Sequence, residues 1–304
     1  MGKQSVRLML VGADGGLGSV VRDIVGNETD WALIQVGRRT VHREGVEEEF
    51  DSASRAAWRS LFDSPDWRPT VVVNAAAMTN VDACETARPE AWRSNVTLVE
   101  NIAAECKRHA CKLIQISSDY IFDGAAGPYG EHATPNPINY YGKTKLAAEN
   151  ACIGAEINHA IIRTMWLYGE GRRGKPSFVS WLVDTLSARK TASVVTDEIG
   201  NPTLYDDVAY GIIKIIERDY SGTLNIAGPD LVSRWEFAQT VARIYNLDAG
   251  LLNPVQSGDL KRAARRPLRS GLISFHVQTL LGLRLTSLAD GLGTCRVIEL
   301  RMAR

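Results

Sequence analysis

The sequence predicts an α/β fold: a doubly wound parallel sheet, followed by a smaller α/β part. Three observations carry this expectation. Short apolar runs alternate with segments of helical periodicity through the first half of the 304 residues. The first run, Val6–Val11, passes directly into a glycine-rich turn, Gly12–Gly18. The intervals between runs are long enough for helical crossovers, which parallel strands require.

Val6–Val11 is apolar and cut by glycine, as a buried strand should be. Leu17–Val25 then has helical spacing, and Ala32–Val36 is a second apolar run. Arg55–Phe62 reads as a helix and Thr70–Asn74 as a third strand. Ala87–His109 suits one long helix, with Trp92, Val96, Val99, Ile102 and Ala103 on one face. Lys112–Ile116, helix Ile138–Cys152 and His159–Arg163 complete the alternation. Beyond Tyr168 the pattern loosens. Gly169–Pro176 is a charged, glycine-rich loop. Helices are expected at Ser177–Ala188 and Asp206–Glu217, and strands at Thr191–Val195 and Thr223–Ile226. Ser233 with Glu236 three residues on has capping-box spacing, opening a helix to Tyr245. Two domains are expected: residues 1–165, joined by part of 196–226, and residues 166–304 as mainly a second domain. Residues 289–304 carry no signal.

Thirty-five basic and 35 acidic residues cancel. A general nucleic-acid or anionic-membrane binder needs a positive surplus, so neither partner is expected. No apolar stretch approaches the roughly 18 residues of a membrane helix. Met1–Ser5 leads straight into the first strand, without the pattern of a secretory signal. The five cysteines are odd in number and form no CxxC pair. Reduced thiols and a cytoplasmic location are expected. Cys106, His109 and Cys111 lack the second close ligand pair that structural zinc uses, so no metal is expected.

The turn Gly12-Ala13-Asp14-Gly15-Gly16-Leu17-Gly18 follows a strand and opens a helix. Glycines there permit a tight turn and close approach of a dinucleotide diphosphate, beside the free N–H groups of the helix start. A free ribose 2′-hydroxyl usually meets an Asp or Glu about 20 residues later. Arg38 and Arg39 stand at the end of the second strand instead. Guanidinium groups suit a 2′-phosphate, so NADPH is the expected cofactor and NADH the alternative.

Ser118 follows the fourth strand, at the carboxyl edge where such sheets bind ligands. Tyr141 and Lys145 lie i, i+4 on one helix face. A free phenol titrates near 10, and a neighbouring ammonium lowers it toward a useful proton donor. A serine hydroxyl can polarise a carbonyl beside it. YxxxK alone says little; the three features in this order say much more.

These residues resemble the extended short-chain dehydrogenase/reductase family, and more closely the dTDP-4-dehydrorhamnose reductases. The resemblance runs from Val6 to about Leu288. Val73–Asp82 (VNAAAMTNVD) is similar to that family's VNAAAxTxVD segment, and Ser118–Gly124 (SDYIFDG) to its [ST]DYVFDG signature. Pro137–Glu149 resembles PxNxYGxTKLAxE, Arg163–Gly169 resembles RTSWVYG, Asp197–Thr203 resembles DQxGxPT, and Arg265-Arg266-Pro267 matches a late RRP. The resemblance implies catalysis by Ser118, Tyr141 and Lys145. It implies cofactor contacts from Gly12, Gly15, Gly16, Leu17, Gly18, Arg38, Arg39, Asp51, Ala75, Ala76, Ala77, Thr79, Tyr141 and Lys145. Ser118, Asp119 and Trp166 would meet the sugar of a nucleotide-sugar substrate, and Arg266 its diphosphate. Family members often dimerise, so a homodimer is the assembly to test. Relatives also include an NADP-binding regulatory subunit of methionine adenosyltransferase and sugar-nucleotide epimerases and dehydratases. The intact Ser–Tyr–Lys set disfavours a pure binder. No Glu follows Asp119, which disfavours a dehydratase.

Overall fold

A computed structural model describes residues 6–37, 40–43, 46–64, 67–169 and 177–302. Its centre is an eight-stranded sheet. In chain order its first seven strands are β1 Arg7–Val11, β2 Ala32–Val36, β3 Thr40–Arg43, β4 Val46–Glu49, β5 Val71–Asn74, β6 Lys112–Ser118 and β7 His159–Thr164. Across the sheet the order is Gly222–Asn225, β7, β6, β5, β1, β2, β3, β4. All pairings from Gly222–Asn225 to β2 are parallel. The last two are antiparallel, because β2, β3 and β4 form a meander. That meander was not expected from the sequence; its charged segment VEEE gives no apolar run.

The order reverses beside β1, which pairs with β2 on one side and β5 on the other. Clefts for ligands open at such a switch point, beyond the carboxyl ends of the strands. Each face of the sheet has its own apolar core. One packs helix Gly16–Glu28 with Tyr205–Glu217, through Val21, Ile24, Ile212 and Ile216. The other packs Arg55–Phe62 and Leu98–His109 through Trp58, Phe62 and Ile102. A third core, around Tyr168, Leu182, Phe237 and Leu292, holds the smaller part together. The divide is not a clean cut in the chain. Gly222–Asn225 extends the large sheet, and Val277 and Leu281 of helix Phe275–Leu281 pack into its first core.

The long helix expected over Ala87–His109 is interrupted. It runs as Arg88–Trp92, a π-helical turn Arg93–Thr97, and Leu98–His109. The turn has a physical reason. Asn95 accepts from the Met78 N–H at 2.7 Å and donates to the Met78 carbonyl and the Thr144 hydroxyl at 3.2 and 2.9 Å. A widened turn carries a side chain to a partner that regular α geometry would miss.

Under the sheet edge, Arg163 grips Glu149 bidentately at 3.0 and 2.7 Å, and donates to the Glu131 carbonyl at 2.8 Å. Both side chains are buried. Removing one member leaves a charge without its partner. Glu149→Ala should therefore cost about 3–5 kcal/mol of stability. Urea unfolding of both proteins measures it; a loss below 1 kcal/mol would refute the claim.

Candidate active site

Two cavities lie at the switch point. The first, about 620 Å³, runs between the glycine turn and the wall formed by Gly37, Asp51, Ala75–Met78, Arg93 and Ser94. The second, about 540 Å³, continues from Gly15–Gly18 past Ala75, Ala77 and Thr79 to Ser118, Asp119, Tyr141, Lys145 and Trp166. Gly15, Ala75 and Ala77 belong to both. One groove thus joins the glycine turn to the Ser–Tyr–Lys cluster.

The turn fits a dinucleotide diphosphate. Gly12 has φ +82°, and a Cβ there would stand 2.7 Å from the Ala76 nitrogen. At Gly18 a Cβ would stand 2.0 Å from the Gly12 carbonyl oxygen. These two glycines let the turn close on the strand end and on itself. The helix starting at Gly16 has no side-chain cap and no acidic residue in its first turn. Its free N–H groups face the groove as a ready anion site. At the other end, the buried hydroxyls of Ser117 and Thr164 have no partner among the described residues, and both residues line the second cavity. They are available to polar atoms of a bound nucleotide.

The Ser–Tyr–Lys cluster is built on helix Tyr140–Gly154. Asn139 caps it by accepting from the Gly142 N–H at 2.8 Å, and donates to the Arg265 carbonyl at 2.9 Å. Gly142 is required here, since a Cβ would stand 2.0 Å from the Tyr120 carbonyl oxygen. The close approach carries Tyr141 beside Ser118. Tyr120 braces the tyrosine edge-on, with ring centroids 5.6 Å apart. One turn on, Lys145 donates to the Ile116 carbonyl at 2.6 Å.

The titration pattern differs from the sequence expectation. Burial pushes Tyr141 well above its ordinary range, and Asp119 and Tyr120 push the same way, while the Ser118 hydroxyl opposes them. Burial also brings Lys145 down to about 8. In the protein alone, desolvation outweighs the depression of Tyr141 expected from Lys145. The phenol is held protonated, as a proton donor must be.

Asp119 is buried and accepts from Ser118 at 2.9 Å and Ser270 at 2.7 Å. Burial raises it to about 6, against the two hydroxyls and Arg234. Trp166 forms the far wall. It sits at φ +44°, between the Arg234 guanidinium 3.7 Å from its ring centre and the stacked ring of Phe237.

Of the expected site residues, Gly12, Gly15, Gly16, Leu17, Gly18, Asp51, Ala75, Ala76, Ala77, Thr79, Ser118, Asp119, Tyr141, Lys145 and Trp166 all line the joined groove. Arg38 and Arg39 lie outside the described residues. Arg266 lines neither cavity. It is paired with Asp82 at 2.6 and 3.2 Å and donates to the Ala264 carbonyl. Burial works against the charge on Asp82, but Arg266, the Ala264 N–H and Arg262 prevail and hold its carboxyl below the usual range. In the protein alone the Arg266 fork is thus held by Asp82, outside the groove. Sequence reasoning missed Tyr120, Thr164, Tyr205 and Arg234 in the second cavity, and Arg93 and Ser94 in the first. For Tyr120 the signal was its place after Ser118; the others reach the groove only through tertiary packing.

Fold and site together define a nicotinamide-nucleotide-dependent oxidoreductase of the extended short-chain dehydrogenase/reductase class. The family model described as the RmlD substrate binding domain matches residues 6–298, and the chain belongs to that family. It is 30% identical over 290 residues to a dTDP-4-dehydrorhamnose reductase of Aggregatibacter actinomycetemcomitans, covering 91% of this chain and 94% of that one. It is 31% identical over 280 residues to methionine adenosyltransferase 2 subunit beta of Bos taurus, covering 90% and 82%. Among solved structures, the dTDP-4-dehydrorhamnose reductase of Bacillus anthracis in complex with NADP superposes with a TM-score of 0.87 at 27% identity, covering 97% of this chain and all of that one. Among the described residues no helix is long and apolar enough to cross a membrane.

Asp119 supplies a pH test. Folded, it keeps its proton to about pH 6; unfolded, it loses it near 3.8. The folded state therefore binds the extra proton between those values, and stability falls as pH rises through them. The contribution is present below pH 4, is lost by about pH 6, and amounts to about 3 kcal/mol. Asp119→Asn should lack this component. Unfolding free energies of both proteins at intervals from pH 4 to 7 would show it, and parallel curves would refute it.

Proposed function

We propose that the protein uses NADPH to reduce the 4-keto group of a nucleotide-linked 6-deoxysugar, the preferred reaction being dTDP-4-dehydrorhamnose to dTDP-rhamnose. The carrying observation is the single groove that joins the glycine turn to Ser118, Tyr141 and Lys145. The sugar-nucleotide reductases among its relatives support the substrate class. The NADP complex of the B. anthracis relative, with Arg38 and Arg39 in the sequence, supports the cofactor.

Gly12–Gly18 and the helix start would hold the diphosphate, and Asp51, Ala75–Ala77 and Thr79 would line the rest of the nucleotide path. When bound, the reduced nicotinamide supplies a hydride. Tyr141 donates its phenolic proton to the sugar oxygen as charge develops there. Ser118 turns its hydroxyl from Asp119 to the same oxygen and so orients the carbonyl. Lys145, pinned on Ile116, places a positive charge one helical turn away and stabilises the phenolate left behind. Trp166 closes the cavity around the sugar.

Two titrations test this. NADPH and NADH binding are followed by fluorescence, and absorbance at the nicotinamide band is then followed with a dTDP-4-keto-6-deoxysugar. Substrate-dependent oxidation is expected, with NADPH preferred. Tight NADPH binding without oxidation by any keto-sugar nucleotide would overturn the reductase in favour of a regulatory binding module like the bovine relative. Tyr141→Phe should lose about 10²- to 10⁴-fold in turnover and keep its affinity for NADPH. Undiminished turnover would remove Tyr141 as the proton donor.

A further inference from the structure

Arg234 stands in the wall of the second cavity, at the start of helix Arg234–Tyr245. Its backbone N–H donates to the Glu198 carbonyl at 2.9 Å. Its guanidinium makes no hydrogen bond and no ion pair among the described residues. The contacts of its head group are aromatic faces, Trp166 at 3.7 Å and Phe178 at 4.9 Å from their ring centres.

The surrounding carboxylates are already committed. Asp119 accepts from Ser118 and Ser270, and Glu198 is paired with Arg262. Tyr120 adds a phenol that burial keeps neutral. Burial lowers Arg234 only to about 10, so it is charged at neutral pH. A half-buried guanidinium whose planar donors meet no partner among the described residues is costly to leave unpaired. Its flat fork is suited to two oxygens of a phosphate or carboxylate. The stack on Trp166 fixes the plane of that fork in advance, which lowers the ordering cost of binding.

We propose that Arg234, clamped on Trp166, receives an anionic group of the substrate, either the diphosphate or a carboxylate on the sugar. This rests on the sugar-nucleotide reading above: the 6-deoxysugar proposed there brings only the diphosphate, and the carboxylate arm would replace it with a uronic-acid sugar on the same nucleotide site. It makes Arg234 a specificity-determining residue: the cavity favours ligands that bring negative charge to the face of Trp166.

The test compares the full chain with Arg234→Gln and Arg234→Lys by calorimetry. The probes are thymidine, dTDP, UDP-glucose, UDP-glucuronic acid and NADPH. If the anion is the diphosphate, Arg234→Gln weakens dTDP by about tenfold or more and leaves thymidine unchanged. If it is a sugar carboxylate, dTDP is unchanged and the preference for UDP-glucuronic acid over UDP-glucose disappears. Arg234→Lys, keeping charge without the fork, should recover part of either loss. Unchanged NADPH affinity in both variants shows the fold intact. The proposal is overturned if Arg234→Gln binds every probe as the parent does. It is also overturned if the parent itself favours neither dTDP over thymidine nor UDP-glucuronic acid over UDP-glucose. Absence of NADPH binding by the parent would instead remove the reductase reading, and the nucleotide titrations would still decide the role of Arg234.

Discussion

Near the carboxyl end of β6, the Ile116 carbonyl accepts two hydrogen bonds: Lys145 Nζ at 2.6 Å and Gln115 Nε2 at 2.7 Å. Gln115 in turn accepts from Asn74 at 2.8 Å, and Asn74 accepts from the Ala76 N–H at 3.1 Å. A single chain of polar groups thus connects Lys145 to the Ala75–Ala77 wall of the groove. The side-chain links at Lys145, Gln115 and Asn74 are buried, so none of them can be exchanged for water without cost. The spacing between groove and catalytic helix depends on this chain. Asn95 adds a second tie, holding Met78 to Thr144 of the same helix.

Burial is the force that tunes the site. It raises Tyr141 and Asp119 and lowers Lys145, each toward its neutral form. For the tyrosine that is useful, because the proton it must give stays in place. For the lysine it is a cost, opposed by the nearby Glu149 carboxylate, which favours the ammonium. An anionic phenolate, formed after a proton leaves Tyr141, would add to the advantage of the charged lysine.

The groove was legible in the sequence because its parts are local. Gly12, Gly15, Gly16 and Gly18 announce a turn whatever the rest of the chain does. Tyr141 and Lys145 share a face because i, i+4 on any helix do. What was hidden depends on partners distant in sequence. The π-helical turn exists because Asn95 meets Met78, 17 residues away. Strands β3 and β4 of the meander, TVHR and VEEE, carry no apolar run. The ion pair of Arg266 has its partner, Asp82, 184 residues earlier. Basic residues near a site announce only that an anion is nearby; whether it is a ligand or a carboxylate of the protein is decided by tertiary structure.

Trp166 shows how the two halves of the chain share one site. A non-glycine residue at φ +44° carries strain of about 1–3 kcal/mol and persists only where its surroundings over-determine it. Here they do. The Trp166 carbonyl accepts from the Thr203 N–H at 3.2 Å, Phe237 stacks on the ring, and Gly200 leaves room beside it, since a Cβ there would meet the indole at 3.0 Å. Thr203, Gly200 and Phe237 come from later in the chain, while Trp166 lies two residues after β7 of the large sheet. The strained residue is thus held by these later segments at the carboxyl end of that sheet. A wall so placed can vary its chemistry through the smaller part, as it does with Arg234, without disturbing the glycine turn or the Ser–Tyr–Lys cluster.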